Sequence, residues 1–274
     1  SVAGVRLMEA ALTASQETIS LQVLVELGVP GGRTGCRTVQ EVVHVARSVA
    51  GSTRLRLAGI EGYEGVIDEG SWEATLAKVD AFLDRMVEAL ARVEGEGLFG
   101  NGVVLSAGGS VFFDRVAQRF SARRDVVRLV RPGCYLPHDH GKYRRLSPLD
   151  GRSSAGLRLQ PALEVWASVV SCPEPGLAIL NAGRRDVSFD AGLPVVVKRI
   201  GAGSTIAEEL PEEWDVVRLM DQHAVVRVPE AAVVAPGDLI GLGISHPCTT
   251  FDKWSLIPVV DDDYRVIDCV ITLF

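Results

Sequence analysis

Lysine is scarce in this sequence. Only Lys78, Lys142, Lys198 and Lys253 occur in 274 residues, so any chemistry that needs an ε-amino group is confined to four positions. Histidine is equally sparse, at positions 44, 138, 140, 223 and 246. The five cysteines, Cys36, Cys134, Cys172, Cys248 and Cys269, are odd in number and form no C-x2-C pair. That count argues against a disulfide framework and suits a reducing compartment. No apolar run is long enough to span a bilayer, and no signal peptide opens the chain. No basic stripe appears, and the formal net charge of −7 leaves no nucleic-acid footprint. A soluble, cytoplasmic protein without nucleic-acid or membrane partners is the expectation. With 47% hydrophobic and 23% charged residues the chain can bury a sizeable core, and disorder is not indicated.

What is present falls into two textures. "ISLQVLVELGV" (19–29), "LRLAGIEGY" (55–63), "GVVLSAGG" (102–109) and "DVVRLVRPG" (125–133) read as strands. Between them, "TVQEVVHVARSVAG" (38–51), "SWEATLAKVDAFLDRMVEALARVEG" (71–95) and "FDRVAQRFSA" (113–122) carry helical spacing. Strands alternating with helices predict a parallel α/β arrangement. Each strand ends in a glycine-rich or polar cluster, the edge where such folds bind ligands. From about residue 157 the chain becomes short Val/Ile/Leu-rich strands divided by turns, which predicts an all-β domain. The polar stretch "SPLDGRSSAG" (147–156) marks the boundary, giving domains at 1–150 and 151–274. The opening "SVAGVRLMEAALTAS" reads as the end of a helix already under way, with no capped entry. The first domain then reads as the C-terminal part of a TIM-type β/α barrel in a fragment of a longer protein, an open sheet being the alternative.

"GGRTG" (31–35), "GIEGYEG" (59–65), "SAGGS" (106–110), "RPGCY" (131–135), "NAGRRDVSFD" (181–190), "DQHAVV" (221–226) and "HPCTT" (246–250) follow one another along almost the whole chain. In that order they resemble the D-serine dehydratase and D-threonine aldolase group of fold-type III pyridoxal-phosphate enzymes, whose barrel is alanine-racemase-like. The resemblance implies a lyase acting on D-β-hydroxy amino acids, with pyridoxal 5'-phosphate and zinc or another divalent metal. It also implies a homodimer in which each β domain completes the partner's site. One landmark is missing. The group's Schiff-base lysine lies in an Arg-Pro-His-x-Lys-type motif at the first barrel strand, and none of the four lysines here matches it. The first barrel strands are expected to be absent along with it.

Gly108, Gly109 and Ser110, with a helix start behind them, offer backbone N–H groups to a phosphate dianion. By resemblance Gly133, Cys134 and Tyr135 join that cradle, although each glycine is also an ordinary turn residue. Arg33 is expected to approach the cofactor's ring nitrogen, with Arg37 as competitor and a surface loop arginine as the plain reading. Tyr63 lines the cofactor by resemblance, or is a half-buried strand tyrosine. His246 and Cys248, at i and i+2 of an extended segment, place two donors on one face about 7 Å apart. Imidazole and thiolate together favour zinc, and a buried thiol beside a chance histidine is the competing reading. By resemblance the pair holds a metal that engages the substrate's β-hydroxyl, and Cys248 in place of an aspartate points to dehydration of D-serine or D-threonine. D-threonine aldolase is the runner-up. An amino-acid racemase is a further option that the metal pair argues against, and an inactive cofactor-binding relative stays open. "PHDHGKY" (137–143) reads as a polar loop, His223 as structural, and Asp186 and Asp190 as turn charges or mouth residues. Glu61 and Glu64 are undistinguished candidates for acid–base work.

Overall fold

The computed structural model describes residues 1–15, 18–152 and 156–273. The chain divides into two compact units, Ser1–Gly133 and Cys134–Phe274.

The first unit runs α1 (Val2–Ala14), β1 (Leu21–Leu27), α2 (Val39–Ala50), β2 (Leu55–Gly62), α3 (Trp72–Gly95), β3 (Val104–Ala107), α4 (Phe113–Phe120) and β4 (Val127–Val130). The strands pair in parallel in the order β1-β2-β3-β4. The strand order never reverses, so right-handed crossovers put the helices on one face, as in a barrel wall and unlike a doubly wound sheet. The helix starts follow from their caps. Thr38 and Ser71 hold extended backbone, and their hydroxyls accept from the N–H groups of Glu41 and Ala74. Along α3, Val79, Phe82, Leu83, Met86, Ala89, Leu90 and Val93 recur at three- and four-residue steps and are buried. The uncapped entry expected for α1 is corrected: Ser1 Oγ accepts from the Gly4 N–H.

Gly59 lets β2 sit in the middle of this sheet. The β1–β2 register slips where Val23 pairs with Leu57 and Leu24 with Gly59. Gly59 takes φ +157°, and a Cβ there would stand 1.9 Å from the carbonyl oxygen of Val104 on β3.

The second unit runs α5 (Lys142–Leu146), α6 (Pro148–Gly151), β5 (Glu164–Glu174), β6 (Leu177–Leu180), β7 (Val195–Ile200), β8 (Glu208–Glu209), β9 (Asp215–Leu219), β10 (Ala224–Arg227), β11 (Leu239–Gly243), α7 (Cys248–Phe251), β12 (Leu256–Val260) and β13 (Val266–Ile271). Six antiparallel strands close on themselves in the order β11-β5-β6-β10-β9-β7, because β11 also pairs with β7. Strand β8 hangs outside on β7, and β12–β13 form a separate hairpin. Closure removes the sheet edges. The interior is filled by alternate residues, among them Val165, Ala167 and Val169 of β5, Leu180, Val196, Val216, Ile240 and Leu242. On β11 the other face carries glycines. A Cβ on Gly243 would lie 2.3 Å from the His140 ring, so glycine there admits the imidazole.

Residues 134–150 lie with this second unit, whereas the sequence boundary is expected after 150. Backbone bonds draw them in: Ala162 N–H donates to Pro137 O, and His140 N–H to Ile244 O, which follows β11. Residues 153–155 of the expected linker lie outside the described residues. Among the described residues no helix is long and apolar enough to cross a membrane.

Candidate functional site

The extended path predicted across His246–Cys248 does not form. Pro247 adopts helical backbone, φ −57° and ψ −46°, and Cys248 opens α7. The turn does more than a strand would, since it brings the imidazole and the thiol together over Cys134. One donor atom from each of the three residues lies within 4.8 Å of the others. Cys134 Sγ and Cys248 Sγ are 3.3 Å apart. Sequence reasoning placed Cys134 only with the phosphate loop. It stands 114 residues from Cys248, and no spacing rule could have paired them.

His246 is held from behind. Its Nδ1 is 2.6 Å from Asp190 Oδ2, and Thr249 Oγ1 donates to Asp190 Oδ1 at 2.7 Å. The His246 N–H donates to Ser188 Oγ at 3.1 Å. A carboxylate on one ring nitrogen fixes the tautomer and leaves the other for a ligand, the usual second partner of a metal-bound histidine. Contact with Cys134 and then Asp190 raises the His246 imidazole to about 9 despite burial. Burial alone would raise Cys134, but hydrogen bonds from His246 and Cys248 hold its thiol below the ordinary value. Burial, then the adjacent Cys134, push Cys248 up to about 11. Soft nitrogen and sulfur donors at this spacing fit zinc. Beside it, Lys142, Tyr143, Arg145, Leu146 and Ala191 join Asp190 and His246 around an open cleft of about 480 Å³.

In the first unit the strand ends are not laid out as predicted. The amides of Gly108 and Gly109 donate to Glu64, at 3.1 Å to Oε2 and 2.5 Å to Oε1. Glu64 is wholly buried. The Gly108 and Gly109 amides, expected to face a phosphate, thus meet the chain's own Glu64 side chain. Ser110, half-buried, begins the turn that leads to α4. A Cβ on Gly133 would meet nothing within 4 Å. Tyr135 is exposed at the start of the second unit. The Arg33 guanidinium lies over the Tyr63 ring, 4.7 Å from its centre. Arg37 instead ties the loop together, donating to the carbonyls of Thr34, Gly35 and Gly32. A further arginine, Arg131, donates to Gly62 O at 3.0 Å and pairs with Glu61 at 2.8 Å.

Burial is the largest influence on Glu64 and raises its carboxyl above the ordinary range, against the two amide bonds and the Arg131 charge. The native state then holds this proton more tightly than the unfolded chain. Its contribution is fully present below about pH 4.3, the free glutamate value, and is lost as pH rises through the shifted value. Urea midpoints should therefore show wild type losing stability relative to Glu64→Gln as pH rises from about 4 towards neutrality, since glutamine does not titrate. A difference independent of pH would show that Glu64 is not shifted.

Each of the four lysines has its own local setting. Lys78 is on α3 beside Glu69. It is the first unit's one lysine. Lys142 opens α5 and lines the second-unit cleft. Lys198 is bound by Glu164 and Tyr264, which hold it protonated. Lys253 lies 4.0 Å from Asp252. The residues present fit a bound metal. For pyridoxal phosphate they fit an anion-binding edge and not the covalent anchor. In "PHDHGKY", Asp139 Oδ1 caps the N–H groups of Gly141 and Tyr143. Burial lowers His140 to about 4, so it stays neutral. Asp139 and His140 thus brace the loop from inside, while Lys142 and Tyr143 at its end face the cleft. His223 is an exposed residue in the turn between β9 and β10.

Residues 162–260 match the family described as a putative serine dehydratase domain. A curated relative, 3-hydroxy-D-aspartate aldolase of Paracoccus denitrificans strain Pd 1222, is 28% identical over 214 residues, covering 78% of this chain and 50% of that protein. The chain spans about half the length of the 3-hydroxy-D-aspartate aldolases it matches. Among solved structures, D-threonine aldolase from Filomicrobium marinum superposes with a TM-score of 0.76 at 22% identity, covering 98% of this chain and 67% of that one. D-threo-3-hydroxyaspartate dehydratase from Delftia sp. HT23 gives 0.70 at 20%, covering 97% and 69%. These two likenesses bear on the fold, and the resemblance carried by the seven motifs stands.

Proposed function

We propose a function for this chain from its place among the relatives of the D-serine dehydratase and D-threonine aldolase group: it forms part of a metal-assisted, pyridoxal-phosphate-dependent lyase acting on D-β-hydroxy amino acids. The observation that carries this reading is the convergence of His246 and Cys248 with Asp190 behind the imidazole. In the complete protein D-serine or D-threonine would be converted to a keto acid and ammonia. When bound, pyridoxal phosphate supplies the electron sink for bond cleavage at the substrate's α-carbon. His246 and Cys248 would hold a divalent ion, which would supply Lewis acidity towards the β-oxygen.

The chain's own residues do the holding. Asp190 fixes the His246 ring, and Thr249 fixes Asp190. Lys142 and Arg145 offer positive charge in the cleft beside His246, suited to a substrate carboxylate. In the first unit, Ser110 and Gly133 are left for the cofactor phosphate once Glu64 has taken the Gly108 and Gly109 amides. Arg33 over Tyr63 offers a cation and an aromatic face. None of the four lysines matches the group's Schiff-base motif, so the chain by itself is expected to be inactive. A homodimer, implied by the same resemblance, is part of this reading.

Retro-aldol cleavage is the second reading. It is favoured by the relatives, since 3-hydroxy-D-aspartate aldolase and D-threonine aldolase both break a carbon–carbon bond. Cys248, where threonine aldolases more often carry aspartate, favours loss of water. The complete protein, supplied with pyridoxal phosphate and zinc and given D-threonine, decides between them. Release of 2-oxobutanoate supports dehydration, and release of glycine with acetaldehyde supports the aldolase. If it yields neither product, and none from D-serine or a 3-hydroxy-D-aspartate, the lyase reading is lost.

A further inference from the structure

We propose that Cys134 is a third protein ligand of the metal centre, so that two thiolates and one imidazole hold the ion and a fourth position stays open. The proposal rests on the reading of His246 and Cys248 as a metal pair and extends it to a residue that neither the motif nor its spacing includes.

The geometry is that of donors to one ion. Zinc holds thiolate sulfur at about 2.3 Å and imidazole nitrogen at about 2.0–2.1 Å, so donors sharing an ion lie roughly 3.5–4 Å from one another. Cys134 Sγ is 3.3 Å from Cys248 Sγ, and the three donor atoms lie within 4.8 Å of one another. Cys134 is buried, 8% exposed, yet its neighbours are an imidazole and a second thiol. Cys172, a partly buried thiol in the same unit, has an ordinary setting: it packs against the barrel core and its Sγ lies 3.6 Å from the Val234 carbonyl. The Cys134–Cys248 separation is far from the roughly 2.05 Å of a disulfide, and oxidation would remove both ligands at once.

A third ligand changes the chemistry. Three protein ligands and one open position is the pattern of catalytic rather than structural zinc sites. Two thiolates neutralise the dication, which makes the ion a softer and weaker Lewis acid than one held by His246 and Cys248 alone. The set should select zinc, cobalt or cadmium over magnesium and manganese.

Two measurements test this on the full 274-residue chain, kept reduced with a phosphine. X-ray absorption of the zinc-loaded protein should show two sulfur neighbours at about 2.3 Å and at least one nitrogen; one sulfur overturns the proposal without any variant. Cobalt(II) titration should give thiolate-to-metal charge-transfer bands that fall by about half in Cys134→Ser and in Cys248→Ser. Bands unchanged in Cys134→Ser but reduced in Cys248→Ser would refute the third ligand and leave the His246–Cys248 pair standing. Absence of any band in the reduced wild type would remove both.

Discussion

His246→Ala is expected to lower zinc affinity by well over 100-fold, measured by competition with a chromophoric chelator. The imidazole is the one nitrogen donor in the cluster, and its loss leaves two thiols 3.3 Å apart with nothing to complete the site. Asp190→Ala sets the scale, because removing the partner that orients a metal-bound histidine costs about 10–100-fold, and deleting the ring itself must cost more. Metal binding also stabilises the fold that holds it, by about 2.7 kcal/mol when free metal is a hundredfold above the dissociation constant. The zinc-dependent rise in unfolding midpoint should disappear in His246→Ala. If that variant kept wild-type zinc affinity, the site would not be a metal centre, and the metal-assisted reaction would go with it.

Gly59→Ala is expected to destabilise the first unit by about 3 kcal/mol or more, read as a fall in urea midpoint. The new Cβ would stand 1.9 Å from Val104 O and 2.9 Å from Val104 N, both backbone atoms that cannot swing aside. The positive φ adds strain of its own. Relief requires β2 to move off β3, and the pairing of Gly59 with Val104 is where that ladder begins. The same shift would disturb Glu61, Gly62 and Glu64 at the end of β2, with the Arg131 contacts they make. Gly70→Ala is the control: Gly70 also has positive φ, but a Cβ there meets nothing within 4 Å, so it should cost only the conformational part. Equal losses in the two variants would mean that close strand approach is not what Gly59 provides.

The elements themselves were legible in the chain. The spans predicted at 38–51 and 71–95 correspond to α2 and α3, whose caps and apolar steps were in plain view. The four first-unit strands were marked by their Val/Leu runs and trailing glycines. The short strands after residue 157 were equally clear as Val/Ile/Leu-rich runs divided by turns, and burial alternates along the first part of β5 and along β6. Closure of six of them into a barrel was not legible, since it depends on β11 pairing with both β5 and β7, a fact of three-dimensional register.

At the candidate site the line between the two kinds of knowledge is sharper. Residue type and local spacing nominated His246 and Cys248 and an anion-binding turn at Gly108 and Gly109, because each is a property of a few neighbouring residues; the resemblance to the group added that no lysine matches its motif. Tertiary structure decided which groups meet. It folded Cys134 onto the metal pair, set Asp190 behind the imidazole, and filled the glycine amides with Glu64. It also turned the predicted strand at Pro247 into the bend that makes three donors converge. The physical reason is range: caps, glycines and side-chain alternation act over a few residues, whereas a ligand set joins atoms 114 residues apart, and only the packed chain brings them within reach.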